Sequence, residues 1–261
     1  MLCKHFGFNT VPFMPEQSGF FESDSIRTGL LKLQTLTYTP QIGLVSGNIG
    51  CGKTSLVNLF VNTLDPMEVR VISSQMVKPS VRSLYKNIAT TTGITHSLYG
   101  DDIKLQLLNY FDEVRTQGKF SLLVLDEAHT FSMEVLDQIK TFFDSRKNFS
   151  LILAGQPQLM KTLRRSAVLP LKQRISVFIN VKPLSLEETK NYVGFRLKQA
   201  GSTQPVFDEA CYPKLFQYSE GVYRMVDQIC FQALTEAFMK KESMVTVDMV
   251  EKAYKTLDYD F

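Results

Sequence analysis

Two short stretches hold the residue types that phosphate chemistry needs. The run Gly47-Asn48-Ile49-Gly50-Cys51-Gly52-Lys53-Thr54 fills every position of the phosphate-loop pattern. Its glycines allow backbone angles that aim successive N–H groups at phosphate oxygens, at a helix start that already favours anions. Lys53 is spaced to reach β- and γ-phosphates, the Thr54 hydroxyl to ligate Mg²⁺, and Ser55 follows in the same helical turn. The second stretch, Leu122-Leu123-Val124-Leu125-Asp126-Glu127, is an apolar strand ending in two carboxylates. Asp126 at the tip suits the hydration shell of the metal, and Glu127 is placed to orient and deprotonate an attacking water. The chemistry expected is hydrolysis of a nucleoside triphosphate, ATP with Mg²⁺.

These residues need a strand before the loop, a helix after it and a neighbouring strand for the carboxylates. Apolar runs predict strands over 42–46, 69–73, 120–125 and 151–154, with an alternating fifth over 175–181. Between them, helical spacing covers 53–64, 79–91 with Pro79 in the first turn, and 101–116. Strands alternating with helices imply a parallel sheet covered on both faces, an α/β fold. After Pro183 no further sheet strand is expected. Ser185 and Glu188 have capping-box spacing and open a helix to about 199; further helices are expected over 208–218, 222–240 and 246–257. The expected division is an aromatic-rich, irregular N-terminal segment over 1–40 packed on the core, an α/β nucleotide-binding core over 41–183, and a helical lid over 184–261.

Composition narrows the class. Of 261 residues, 44% are hydrophobic and 21% charged, so a packed core is expected rather than disorder. The formal charge of +3 excludes a histone-like polycation. Cys3, Cys51, Cys211 and Cys230 are scattered and form no CxxC pair, which argues against a zinc site or disulfide framework. No apolar stretch approaches the roughly 18 residues of a spanning helix, and the N-terminus lacks a secretory layout, so a soluble cytoplasmic chain with no membrane partner is expected.

Charge is unevenly spread. No acid lies between Glu68 and Asp101, nor between Asp144 and Glu187, while both blocks carry Lys and Arg. Lys78, Arg82 and Lys86 recur at four-residue intervals, so a helix there would line them along one face and suit the phosphates of duplex DNA. The tetrad Asp126-Glu127-Ala128-His129 also spells a helicase signature, but the chain offers one α/β module where a helicase of that class needs two.

The chain resembles the AAA+ ATPases, and within them the ExeA/TnsC-like branch, which holds the secretion ATPase ExeA and the transposition ATPases TnsC, IstB and MuB. The resemblance rests on His5-Phe6-Gly7-Phe8, Pro12-Phe13, residues 47–54 and 125–129, Leu153-Ala154-Gly155-Gln156-Pro157, Leu171-Lys172-Gln173-Arg174-Ile175 and Gly221-Val222-Tyr223-Arg224. It implies a P-loop core with an all-helical lid, Gln156 as the polar residue sensing the γ-phosphate, and Arg174 as an arginine finger supplied to a neighbouring copy. Arg164 and Arg165 are competitors for the finger. Arg224 is implied as the lid arginine that meets nucleotide. The implied assembly is a homo-oligomer, ring or filament, with DNA passing along the Lys78, Arg82 and Lys86 face. A transposase or target-selection protein is the implied partner. The rivals are a secretion-associated assembly ATPase and a slow scaffold ATPase.

Overall fold

Seven-residue runs such as Phe120–Asp126 and Phe149–Gly155 have almost no polar side chain to show to water, so they form strands only where both faces are covered. In the computed structural model, which describes residues 1–14, 19–37, 39–94 and 100–257, five strands form one parallel sheet. They are β1 (Ile42–Gly47), β2 (Val69–Gln75), β3 (Phe120–Asp126), β4 (Phe149–Gly155) and β5 (Ile175–Val181), in the order β2-β3-β4-β1-β5. The three central strands are buried along nearly their whole length. The edge strands β2 and β5 are only partly covered: Arg70, Ser73 and Gln75 of β2 and Ser176, Phe178 and Asn180 of β5 are exposed.

The helices, in chain order, are α1 (Leu2–Phe6), α2 (Asp24–Gln34), α3 (Lys53–Asn62), α4 (Val81–Thr92), α5 (Gly100–Thr116), α6 (Met133–Arg146), α7 (Gln158–Leu163), α8 (Leu169–Arg174), α9 (Leu186–Gln199), α10 (Cys211–Ser219), α11 (Tyr223–Lys240) and α12 (Val247–Leu257). Two expectations change. Residues 24–34, read as irregular, form α2, which buries Ile26, Gly29 and Leu33 at helical spacing. The helix expected from Pro79 begins at Val81 instead. Ser80 caps it by accepting the Ser83 N–H, and Pro79 lies outside.

Two compact units emerge. One comprises Asp24–Asn48 and Gly52–Val181, and its core packs the sheet against α4, α5 and α6. Phe149 on β4 stacks on Phe111 of α5 with ring centroids 4.4 Å apart and meets Phe142 of α6 at 5.3 Å. Full burial of one such ring is worth about 3 kcal/mol, so this triad is a large part of what holds the two helices on the sheet.

The other unit comprises the described residues of Met1–Ser23, Ile49–Cys51 and Lys182–Phe261, and is helical. The expected capping box is present: Ser185 accepts the Glu188 N–H while the Glu188 carboxylate accepts the Ser185 N–H, opening α9. Phe8 and Phe13 are buried in this unit's core among residues such as Leu197, Phe207 and Ile229. The Asn9 N–H donates to Ala200 O at 2.7 Å and Arg196 Nη2 to Met14 O at 2.7 Å, fastening the N-terminal residues to α9 and its end. Among the described residues no helix is long and apolar enough to cross a membrane.

A partly buried acid should make this helical unit pH-sensitive. Asp227 accepts the Tyr192 hydroxyl at 2.8 Å and lies 3.8 Å from Arg196 Nε. Burial pushes its carboxyl up to about 6, more than Arg196 and Tyr192 pull it down. The protonated form is therefore favoured on folding. Its contribution is fully present below the ordinary aspartate value of 3.8 and is lost as pH rises through about 6. At ~1.4 kcal/mol per pH unit the loss is about 3 kcal/mol. Asp227→Asn keeps the acceptor for Tyr192 but cannot titrate. In urea melts followed by circular dichroism, the wild-type stability should fall between pH 4 and 6.5 relative to the variant. Parallel pH profiles would contradict the assignment.

Candidate nucleotide site

In a parallel sheet all strands point the same way, so residues that follow the ends of β1, β3 and β4 share one edge. β4 lies between β1 and β3, pairing Ser46 with Gly155 on one side and Leu125 with Leu153 on the other. The phosphate loop, Gln156 and Asp126 are thereby set side by side from three distant parts of the chain.

The loop leaves β1 at Gly47 and enters α3 at Lys53. A Cβ at Gly47 would lie 2.8 Å from Val181 O and 3.3 Å from Lys53 Cγ, so no side chain fits where the loop passes the end of β5. Gly50 and Gly52 adopt φ of 76° and 91°, which other residues reach only with strain. Gly52 is the N-cap of α3 without a side chain to satisfy the first turn, leaving the N–H groups of Lys53, Thr54 and Ser55 at a helix start suited to an anion. Cys51 is fully buried, and Ile49 points outward. Lys53, only 8% exposed, donates its ammonium to Asn48 O at 2.9 Å, which holds the charge inside the curve of the loop.

Asp126 closes the strand end with both oxygens engaged: Oδ1 accepts the Glu127 N–H at 2.8 Å and Oδ2 accepts the Thr54 hydroxyl at 2.9 Å. The hydroxyl and carboxylate that the sequence nominates as metal ligands are therefore in contact, a pair of hard oxygen donors of the kind that Mg²⁺ takes. Glu127 adopts a left-handed φ of 58° and opens a 3₁₀ turn over Ala128–Thr130, with its carboxylate 3.5 Å from His129 Nδ1. The Thr130 hydroxyl donates to Glu127 O at 2.9 Å and accepts the Lys78 N–H at 3.1 Å. One side chain thus pins the peptide of the prospective base to the loop between β2 and α4. Gln156 is half-buried just past β4, where its carbonyl accepts the Leu159 N–H and starts α7.

The remaining predicted residues lie on other elements. Arg174 ends α8 and is 47% exposed; its Nε donates to Asp144 Oδ1 of α6 at 3.0 Å. Arg224 is in the first turn of α11, within the helical unit that also includes Ile49–Cys51. Its N–H lies 3.5 Å from Gly50 O, and a Cβ on Gly50 would come within 2.9 Å of both Arg224 Cβ and Val222 Cγ1. Arg82 and Lys86 are exposed on α4, opposite the buried Leu84, Tyr85, Ile88 and Ala89. Lys78 is exposed but has φ 47° and precedes the helix, so the expected helical row of three is a row of two plus a loop residue.

Residues 36–163 match a protein family described as an AAA domain. That stretch, just under half of the chain, is similar to an AAA domain. Its five-stranded parallel sheet, flanked by helices and followed by an all-helical portion, is the P-loop AAA+ fold, a nucleoside triphosphatase fold. The chain is 31% identical over 273 residues to General secretion pathway protein A of Aeromonas hydrophila, covering 98% of this chain and 48% of that protein. It therefore spans about half the length of that relative. Among solved structures, the Aeropyrum pernix ORC1 protein in complex with DNA matches 95% of this chain and 69% of its own, with a TM-score of 0.72 and 17% identity. The ORC2 protein of the same organism, as ADPNP–ADP complexes, matches 99% and 72% with a TM-score of 0.66 and 15% identity. At these identities the likeness is one of fold. The matched stretch contains the loop, Asp126, Glu127 and Gln156, whereas Arg174 and Arg224 lie beyond it.

Three residues of interest escaped the sequence. Thr130 and Asp144 act through partners that only the fold brings near, and His129 was noticed only as one letter of a tetrad. The four-residue spacing of Lys140 and Asp144 was the one local signal for the Arg174 partner.

Proposed function

We propose that this chain is an ATPase that uses Mg-ATP to assemble copies of itself on double-stranded DNA, and that the assembled form recruits a transposase or target-selection protein in the cytoplasm. The observation that carries the enzymatic part is the Thr54–Asp126–Glu127 arrangement beside the glycine loop. The backbone N–H groups of residues 50–55 and the Lys53 ammonium bind the phosphates. Thr54 and Asp126 hold the Mg²⁺, which when bound offsets phosphate charge. Glu127 takes the proton of the attacking water, and Gln156 orients that water against the γ-phosphate. Arg174 comes from a neighbouring copy and neutralises charge that develops on the transferring oxygens; Arg224, on the helical lid, reports nucleotide to that lid. The DNA part is supported by the exposed Lys78, Arg82 and Lys86, which stand in a stretch cleared of acids.

One observation favours a second reading, a secretion-associated assembly ATPase: the relative that matches nearly the whole chain at 31% identity is a general secretion pathway protein. A titration of fluorescent duplex DNA with ATP or ADP at 50 and 200 mM salt separates the two. The DNA role predicts ATP-dependent association that weakens by at least about 10-fold at the higher salt, as a few phosphate contacts require. No association with ATP at either salt removes the DNA role and leaves the secretion reading.

A further inference from the structure

The acid-free block from 145 to 186 begins immediately after Asp144, and Asp144 is the acid that Arg174 meets. The two are thirty residues apart in sequence, on α6 and at the end of α8. Each carboxylate oxygen has its own cation: Oδ1 lies 3.0 Å from Arg174 Nε, and Oδ2 lies 3.1 Å from Lys140 Nζ, one helical turn earlier on α6. The contact to Arg174 uses Nε, so the planar end of the guanidinium, with Nη1 and Nη2, stays available for a second anion. Arg174 is about half exposed and Asp144 is 20% exposed, so the acid is seated in the surface and the arginine reaches out from it.

We infer that Asp144 is a positioning residue that holds Arg174 in the orientation from which it reaches the nucleotide of a neighbouring copy. The inference rests on the reading of Arg174 as an arginine supplied in trans. A free arginine samples many rotamers, and ordering it at the moment of assembly would oppose the reaction. Anchoring Nε removes part of that freedom beforehand while the two terminal nitrogens remain for phosphate oxygens. Lys140 pairs the other carboxylate oxygen, so Asp144 keeps a cation of its own while the terminal nitrogens of Arg174 meet a phosphate. Burial raises the Asp144 carboxyl, but the bonds and charges of Arg174 and Lys140 outweigh it, so the group stays ionised throughout the neutral range.

Asp144→Asn, nearly isosteric, tests this in the full-length chain with ATP and duplex DNA. Because a half-exposed ion pair biases an orientation only modestly, turnover in the assembled form should fall about 3- to 5-fold, with the KM for ATP and ATP-dependent assembly near wild type. The readout that a merely structural role would not move is rescue in trans. Adding Lys53→Ala subunits, which carry an intact Asp144 and Arg174 but a disabled loop, should raise turnover per Asp144→Asn subunit. Wild-type turnover in Asp144→Asn, alongside a large loss in Arg174→Ala, overturns the role of Asp144 and leaves Arg174 as the finger. A loss in Asp144→Asn that Lys53→Ala subunits do not rescue likewise overturns it. Full turnover in Arg174→Ala overturns the finger reading and this inference together.

Discussion

Glu127→Gln is expected to lower ATP turnover by about 10²–10⁴-fold, the usual worth of a positioned general base, while nucleotide binding survives. Binding survives because the change touches nothing that shapes the loop. The Glu127 peptide is fixed by its own N–H to Asp126 and by the Thr130 hydroxyl on its carbonyl, and neither bond involves the Glu127 carboxylate. Glutamine keeps the size and an oxygen to touch water, but it cannot accept the proton. If nucleotide gates assembly, the variant accumulates in the ATP-bound, assembled form instead of cycling. Single-turnover hydrolysis and light scattering with ATP measure both parts. Wild-type turnover would remove Glu127 as the base. The role would then have to pass to another group, and His129, 3.5 Å from the Glu127 carboxylate, is one such group.

Arg174→Ala is expected to cost more, about 10³–10⁵-fold in turnover, the range for an arginine that meets a transferring phosphoryl group. The loss should appear at protein concentrations where the wild type is assembled and shrink on dilution, since a dispersed wild type has no finger to lose. Arg174→Lys should recover little, because a point ammonium cannot reproduce the two-pronged contact. Stability gives no competing explanation of that size: the contact with Asp144 is a half-exposed ion pair, worth at most about 1 kcal/mol. Loss of the same size in Arg164→Ala or Arg165→Ala, with Arg174→Ala unaffected, would move the finger to one of those neighbours.

How far the sequence reached depends on whether a feature is local. The loop was legible because each residue between Gly47 and Thr54 has a conformational or chemical reason of its own, and because strand and helix flank it directly. The Ser185–Glu188 box was legible for the same reason, as both hydrogen bonds close within one turn. A local signal sets Lys78 outside the helix: it precedes Pro79, whose ring disfavours helical angles in the residue before it, and Ser80 then caps the helix. The helix α2 was hidden by the aromatics around it, though Ile26 and Leu33 already had helical spacing. Nonlocal features had no such trace. That β4 intervenes between β1 and β3, so that the chain leaves it at Gln156 on the same sheet edge as Asp126, is a property of strand order. The meeting of Arg174 with Asp144 depends on α6, over 133–146, whose sequence holds no residue pattern that points to chemistry.

A catalytic centre built from two copies of the chain is tested most directly by mixing two disabled variants. Arg174→Ala subunits keep an intact loop, and Lys53→Ala subunits keep an intact finger. Combined with ATP and duplex DNA, they should regain a fraction of wild-type turnover that peaks near an equal mixture, with each variant alone inactive. Inactivity at every ratio, while both variants still assemble with wild-type subunits, would mean that the chain does not share its site between neighbours.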